Sequence, residues 1–317
     1  TNKTMSDLKK RSKFKLNYQF IDNGNNWLRW NYNNYDKVSP KVSIIIPTRD
    51  RIDLLEKCIN SIRKTVKYRN YEIIIINNES VERKSINYFQ EIKIFKQVKV
   101  FNILGNFNYS RLNNLAVKKA NGEILLLLNN DIEAINQGWF EEMLSHALRP
   151  AIGCVGAKLL YPDGLLQHGG VIVGINGGAG HSHKFAERTN LGYCGRLCVA
   201  GNTTAVTGAC MMIKKETYNN AGGMDENCLK VAFNDVDFCL RVEKLGYRNL
   251  WTPFTEILHH ESATRGDDQS TVKRKKRFSN EVLILQNRWS LKSFSNRNYN
   301  INLTYTSENF RYGIKKP

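Results

Sequence analysis

A chain of 317 residues, 41% hydrophobic and 24% charged, has apolar material for one sizeable core, which excludes a fibrous or wholly disordered protein. Its apolar runs, Val42 to Ile46 and Ile124 to Leu128 among them, fall far short of the roughly 20 residues that span a bilayer. The formal charge of +18 is concentrated at the ends: residues 1–40 carry eight Lys/Arg against three Asp, and residues 270–317 carry eleven against two Glu, leaving the middle with about +4. The excess is therefore a surface property of the ends, of a kind that attracts anionic headgroups or phosphates. Seven cysteines without CxxC spacing argue against a disulfide framework or a zinc ribbon, and they read as reduced and mostly buried. The lysine-rich start has no apolar signal core, so no export signal is read there.

After an aromatic, asparagine-rich lead-in, Val42 to Thr48 is a β-branched apolar run containing Pro47, and Ile52, Leu55, Ile59 and Ile62 then recur at helical spacing. Tyr71 to Asn77 repeats the strand pattern, and Val98 to Leu104 gives a shorter third strand. Leu112, Leu115, Ala116 and Ala120 predict a helix ahead of a buried strand over Glu123 to Asn129. Apolar strands alternating with amphipathic helices predict an α/β fold, a mostly parallel central sheet flanked by helices on both faces. Such sheets collect ligands at the carboxyl ends of their strands. The loops Thr48-Arg49-Asp50, Asn77-Asn78-Glu79-Ser80 and Asn129-Asn130-Asp131 all fall on that edge.

Further along, Trp139 to Arg149 reads as a helix and Cys154 to Tyr161 as a strand. The glycine-rich tract Gly169 to Gly180 breaks regular structure, which resumes over Ala205 to Ile213. A helix over Asp235 to Leu245 ends at Gly246, in the C-cap position. Glu256 to Leu258 is a short strand, and a last helix around Glu281 to Leu291 precedes an Asn- and Tyr-rich tail.

Four of these places carry groups able to do chemistry. Asp131 directly follows a buried strand, where oxygen ligands can hold Mg²⁺ or Mn²⁺ against a diphosphate; the same residues also suit an Asx turn. Asp235 and Asp237 open a helix, where a carboxylate serves either as a cap or as a general base, and being two apart at most one of them faces an acceptor. His259 and His260 end a strand, so only one of the two can reach a metal. Gln167-His168-Gly169-Gly170 is either a plain turn or a polar cluster whose glycines let a ligand approach the backbone.

Further fragments lie between these. They are Val-Ser-Ile-Ile-Ile-Pro-Thr-Arg-Asp-Arg at 42–51, Phe-Asn-Tyr-Ser at 107–110 with Asn113-Asn114, and Leu-Asn-Asn-Asp at 128–131. Val-Gly-Ala-Lys-Leu-Leu-Tyr-Pro-Asp-Gly at 155–164 and Gln-His-Gly-Gly at 167–170 follow. Thr-Gly-Ala-Cys at 207–210, Phe-Asn-Asp-Val-Asp-Phe-Cys-Leu-Arg at 233–241 and His-His-Glu-Ser-Ala-Thr-Arg-Gly at 259–266 complete the set. In this order and spacing the chain resembles the inverting family 2 glycosyltransferases of GT-A fold, especially the branch of O-antigen and capsule enzymes that includes rhamnosyltransferases.

The resemblance implies that Asp131, the last acid of a DxD-type motif, and His259 bind Mn²⁺ or Mg²⁺, and that Asp235 is the catalytic base. It places Pro47, Thr48, Asp50, Asn77, Asn78, Ser80, Asn114, Asn129 and Asn130 around the donor, and Thr207 and Gly208 near the donor–acceptor junction. Gln167, His168 and Asp237 are assigned to the acceptor. Two departures from the family pattern are Asn129, where the DxD motif begins with Asp, and Asn77, where the second strand's loop commonly has Asp. The implied reaction transfers a sugar with inversion from a UDP-, dTDP- or GDP-sugar to a saccharide or lipid-linked saccharide, in the cytoplasm or at an anionic membrane surface, with no nucleic acid. The implied organisation is a lead-in over 1–40, a GT-A domain over 41–266 and a basic helix and tail over 267–317. A basic nucleic-acid-binding protein, a nucleotidyltransferase and a non-catalytic carbohydrate-binding relative are the rival readings.

Overall fold

The computed structural model describes residues 16–21, 27–32, 35–260 and 270–313. The stretch from Glu261 to Gly266, the later part of the histidine fragment, lies outside the described residues. Strands β1 (Leu16–Ile21) and β2 (Trp27–Tyr32) pair as an antiparallel ribbon, followed by a short helix α1 (Tyr35–Val38). The predicted alternation then begins with β3 (Val42–Thr48), α2 (Ile52–Thr65), β4 (Tyr71–Asn77), α3 (Arg83–Glu91) and β5 (Val98–Asn102). It continues through α4 (Tyr109–Lys119), β6 (Ile124–Leu128), β7 (Ile132–Ala134), α5 (Trp139–Ala147) and β8 (Ile152–Leu160).

The second half is built from shorter strands: β9 (Leu166–His168), β10 (Val171–Val173), β11 (Ala179–His181), β12 (Gly201–Thr203) and β13 (Cys210–Lys214). Helices α6 (Lys215–Asn220) and α7 (Asn234–Lys244), the long strand β14 (Arg248–His259) and helix α8 (Val272–Trp289) complete it.

Ten strands form the main sheet, in the order β12-β14-β8-β13-β6-β3-β4-β5 with β7 on β14 and β9 on β8. β3, β4, β5 and β6 are mutually parallel, and β14 is parallel to β8. β13 runs antiparallel between β6 and β8, joining the two parallel halves. Alternating side chains on β3 send Val42, Ile44 and Ile46 to one face, where they pack with Leu55 and Ile59 of α2 and Trp139 and Phe140 of α5. Ile45 points to the other face with Leu112 and Ala116 of α4 and Phe238 and Val242 of α7. Both faces are thus covered, which is why these strands read as continuous apolar runs.

The ribbon is tied to the body through Arg29, whose guanidinium donates to Glu142 at 2.6 Å, while His146 and Thr252 also bond that carboxylate. Burial alone would raise the Glu142 carboxyl, but His146 and Arg29 outweigh it and hold it at about 2. The C-terminal helix is also fastened down. Glu281 accepts the amides of Val231 and Ala232, each at 3.0 Å, and Arg288 pairs with Asp225 and Asp237. Beyond α8, Tyr299, Leu303 and Phe310 form a small second cluster with Ile172 and Ile175 beside the β10–β11 hairpin.

Several boundaries differ from expectation for physical reasons. The glycine-rich tract holds the β10–β11 hairpin, whose strands are three residues each and too short to show alternation. β14 extends eight residues before Glu256, because Pro253 and a register shift between Thr252 and Glu256 disguise its period. Helix α8 starts at Val272, capped by the Thr271 hydroxyl, and its basic first half has no apolar stripe to betray it. Four cysteines, Cys58, Cys154, Cys210 and Cys239, are buried, and Cys194 and Cys228 are exposed; all seven are free thiols. Among the described residues no helix is long and apolar enough to cross a membrane.

Candidate active site

A cavity of about 640 Å³ opens at the carboxyl ends of β3, β6 and β14 and is closed by the loops that precede β13 and α7. The apolar strand β6 delivers Asn129, Asn130 and Asp131 to its floor. Asn130 Nδ2 donates to Thr48 Oγ1 at 2.9 Å, joining the ends of β6 and β3. The backbone oxygen of Asp131 accepts the His260 amide at 2.9 Å, which holds the end of β14 against the β6 loop. Strand alternation then turns His259 inward, with Nε2 3.2 Å from Asp131 Oδ1.

That approach is not a hydrogen bond. His259 Nδ1 lies 2.6 Å from Gln167 Oε1, an oxygen that only accepts, so the proton of a neutral ring sits on Nδ1 and Nε2 presents a lone pair. Asp131 Oδ1 is buried, and among the described residues no hydrogen-bond donor reaches it. The Asn129 amide nitrogen also lies 3.3 Å from Nε2, and a carboxylate beside an imidazole oriented by its second nitrogen is a geometry that fits a divalent cation. Among the described residues no group of three or more His, Cys, Asp or Glu side chains converges on one point.

Asp235 stands in the first turn of α7, set there by Phe233 in the left-handed region at φ 59°. Its Oδ2 accepts the Gly208 amide and its Oδ1 the Val236 amide, both at 2.8 Å. A carboxylate has about four lone-pair sites, so these bonds orient it and leave capacity for a hydroxyl. Gly208 lets the loop come this close: a Cβ there would lie 3.1 Å from the Tyr109 oxygen, which donates to the Gly208 carbonyl at 2.7 Å. Burial pushes the Tyr109 phenol far up, so it serves as a neutral donor.

The structure brings Pro47, Thr48, Asn129, Asn130, Asp131, Gln167, Thr207, Gly208, Asp235 and His259 to this one cavity. Other sequence-derived assignments are corrected. Asp237 is fully buried on the opposite side of α7, held by Arg241 at 2.9 Å, Arg288 at 3.0 Å and the Trp289 indole at 2.9 Å, and it cannot meet an acceptor. A two-residue step turns a helix by about 200°, so one aspartate faces the cavity and the other the core. Asp237→Ala is expected to lower stability by about 3 kcal/mol, because it leaves two guanidinium groups without their shared carboxylate, while ligand affinity stays unchanged; thermal denaturation beside calorimetry checks both.

His168 is also fully buried and lies behind the cavity wall. Asn114 spends its whole amide on Met224, Glu226 and Tyr218, linking α4 to the segment after α6. Asn78 is buried and donates to the carbonyls of Ile103 and Gly105. In this structure both asparagine side chains tie loops together, and neither lines the cavity. Asp50, Asn77 and Ser80 bind one another's loops: Asp50 Oδ1 accepts the Val81 and Glu82 amides, Ser80 Oγ accepts the Asp50 amide, and Asn77 Oδ1 accepts the Ser80 amide. They form a wall beside the cavity, not its lining.

Conversely, His181 and, from α8, Arg274, Arg277 and Phe278 line the cavity without having been singled out, as do Tyr109 and Phe233, which lie in the quoted fragments but were given no role. The Phe233 and Phe278 rings lie 5.5 Å apart, bringing α8 over the Asp235 loop. Arg274 and Arg277 belong to the basic excess of residues 270–317, which was read as a surface property.

Residues 43–220, more than half of the chain, match the description "Glycosyl transferase family 2". The chain belongs to glycosyltransferase family 2. Asp131 lies within the matched residues of the family 2 glycosyltransferases, and Asp235 and His259 lie beyond them. The family 2 chain is 45% identical to the uncharacterized protein y4gI of Sinorhizobium fredii over 86% of its length and 30% of that protein's. It is 38% identical to the O-antigen biosynthesis protein RfbC of Myxococcus xanthus over 73% of its length and 18% of that protein's. The chain therefore spans less than a third of these curated relatives. In structure it is similar to the mannosyltransferase PcManGT from Pyrobaculum calidifontis, solved with GDP-Man and Mn²⁺, with a TM-score of 0.56 and 13% identity over 81% of this chain and 66% of that one. The family and the GT-A-like fold expected from the sequence fragments are both met.

Proposed function

We propose that this glycosyltransferase moves a sugar from a nucleoside diphosphate sugar onto a saccharide or lipid-linked saccharide, with inversion at the anomeric carbon, during assembly of a bacterial surface polysaccharide. The observation that carries this reading is that the Asp235 carboxylate and the Asp131–His259 pair line one cavity. Asp235, oriented by the Gly208 and Val236 amides, accepts the proton of an acceptor hydroxyl while that oxygen attacks the anomeric carbon. The bond from that carbon to the donor phosphate breaks in the same step, and its electron pair leaves with the nucleoside diphosphate. One base and one displacement give inversion.

Asp131 and His259 would hold a divalent ion, with the imidazole nitrogen favouring Mn²⁺ over the harder Mg²⁺. When bound, that ion neutralises charge on the departing diphosphate. Gln167 holds His259 in the tautomer this requires. Support for the substrate class comes from the O-antigen role named for RfbC and from the GDP-Man and Mn²⁺ named with PcManGT. The basic ends suit a lipid-linked acceptor at the cytoplasmic membrane face.

A thermal-shift screen of UDP-, dTDP- and GDP-sugars with and without Mn²⁺ tests the reading. One nucleotide class is expected to raise Tm by roughly 5 °C when present at 100 times its Kd, through mass-action linkage, and only with metal. If none of these donors stabilises the protein with or without Mn²⁺, the donor site is misassigned.

A further inference from the structure

Two residues of α8 are buried, Glu281 and Leu285, and one of them is a carboxylate. The two Glu281 oxygens are divided between consecutive amides: Oε1 accepts from Val231 and Oε2 from Ala232, each at 3.0 Å. Arg277, one turn earlier on the same helix, lies 3.4 Å from Oε2. Burial pushes the Glu281 carboxyl up, against the opposing pull of the two amides and of Arg277. Apolar packing would fasten a helix as well without burying a charge. What the carboxylate adds is direction, because two amides bonded to two oxygens fix both the place and the orientation of the backbone that carries them.

That backbone leads straight to Asp235. Phe233 follows Ala232 in the left-handed region at φ 59°, a costly conformation for a bulky residue, and its side chain gives α7 no capping bond. The turn at Phe233 sets where α7 begins and so the direction in which the Asp235 carboxylate leaves the helix. A strained turn persists where its surroundings hold it. Two elements do so here. From α4, Ser110 donates its hydroxyl to the Leu229 carbonyl at 2.6 Å and its amide to the Lys230 carbonyl at 3.3 Å. From α8, Glu281 holds the next two residues, and the Phe278 ring meets that of Phe233.

Resting on the reading of Asp235 as base, we propose that Glu281 is a positioning residue for sugar transfer: its grip on Val231 and Ala232 fixes the turn that aims the Asp235 carboxylate at the acceptor hydroxyl. Glu281 does not line the cavity, and it acts through the backbone of the residues that do. Helix α8, beyond the residues 43–220 that match the family, is then a working part of the site and not an appended tail. The Gly208 amide reports on this arrangement, since it reaches Asp235 Oδ2 at 2.8 Å while the start of α7 keeps its place.

The test uses the whole chain with ¹⁵N-labelled glycine and the Gly208 amide signal assigned. Glu281→Gln replaces one oxygen with a group that cannot accept, so one of the two amides loses its partner. The Gly208 signal is expected to move toward its position in Asp235→Asn. Sugar transfer should fall about tenfold to a hundredfold, the effect of a displaced reacting group, with the Kd of UDP, dTDP or GDP in Mn²⁺ held within about twofold. In the Asp235→Asn background the same substitution should cost less than about twofold, because a misplaced base matters where there is a base. Glu281→Asp keeps the charge with a shorter reach; it is expected to give smaller changes in both readouts and is read instead should the glutamine variant not fold. A Gly208 signal that stays in place in the folded variant, or an equal loss of rate in both backgrounds, overturns the inference and leaves Glu281 a helix anchor. Wild-type turnover in Asp235→Asn alone counts instead against the reading of Asp235 as base.

Discussion

Asp235→Asn is expected to slow sugar transfer by roughly a hundredfold to ten-thousandfold, the range over which a positioned general base contributes. Nucleoside diphosphate affinity in the presence of Mn²⁺ should remain within about twofold. The substitution keeps shape and volume but removes the proton acceptor. It also exchanges one oxygen for an amide that cannot accept from both Gly208 and Val236, each of which donates to the carboxylate at 2.8 Å. One of those amides loses its partner, a local cost of about 1 kcal/mol that thermal denaturation will register separately from the rate. The measurement is kcat at saturating donor and acceptor beside calorimetric binding of the nucleotide. Turnover comparable to the wild type would remove Asp235 from the reaction. The contrast with Asp237 is informative, because the two carboxylates share a helix turn and are expected to fail in opposite ways: one loses rate without much stability, the other stability without affinity.

Asp131 and Asp235 could be placed because each is attached to a segment with a clear pattern, whereas His259 could be placed only from the short run Glu256 to Leu258 that precedes it. Leu128 ends a run of five buried aliphatic residues, and a carboxylate three residues later has to emerge at the sheet edge. Val42 to Thr48 matched its strand at both ends because β-branched residues buried on both faces leave no alternative period. Direction and partner choice are not written that way. The run that became β13 is as apolar as its neighbours, and nothing in Cys210 to Ile213 says that it lies antiparallel between β6 and β8.

Polar residues near the cavity posed a different problem. Asn78, Asn114 and His168 have chemistry suited to a ligand, yet each is consumed by backbone groups of distant loops, such as Met224 for Asn114 and Thr207 for His168. Hydrogen bonds spanning 25 to 110 residues leave no local trace in the sequence. The same holds for His181, which reaches the cavity only because a histidine 13 residues earlier and a tail more than 100 residues later fix its hairpin.

Asn129 bears on how the site handles charge. Where the family motif begins with Asp, this chain places an amide whose nitrogen lies 3.3 Å from His259 Nε2. The floor of the cavity would thus offer a cation one carboxylate rather than two, and Asp131 would carry most of the electrostatic attraction. Removing it should have a correspondingly large effect. Asp131→Ala is expected to weaken Mn²⁺-dependent donor binding on the order of a hundredfold, since several kcal/mol of charge neutralisation is lost with the ligand. Binding in the presence of a chelator should match that of the wild type, because no metal bridges donor and protein in either case. Stability supplies the discriminating control. Among the described residues no hydrogen-bond donor reaches the buried Asp131 Oδ1, so its charge is poorly compensated without a cation. The metal-free variant should therefore melt no lower than the metal-free wild type, whereas a carboxylate retained as a structural turn would leave the variant less stable. Equal donor affinity with Mn²⁺ in the two proteins, measured by calorimetry, would take Asp131 out of the cation site.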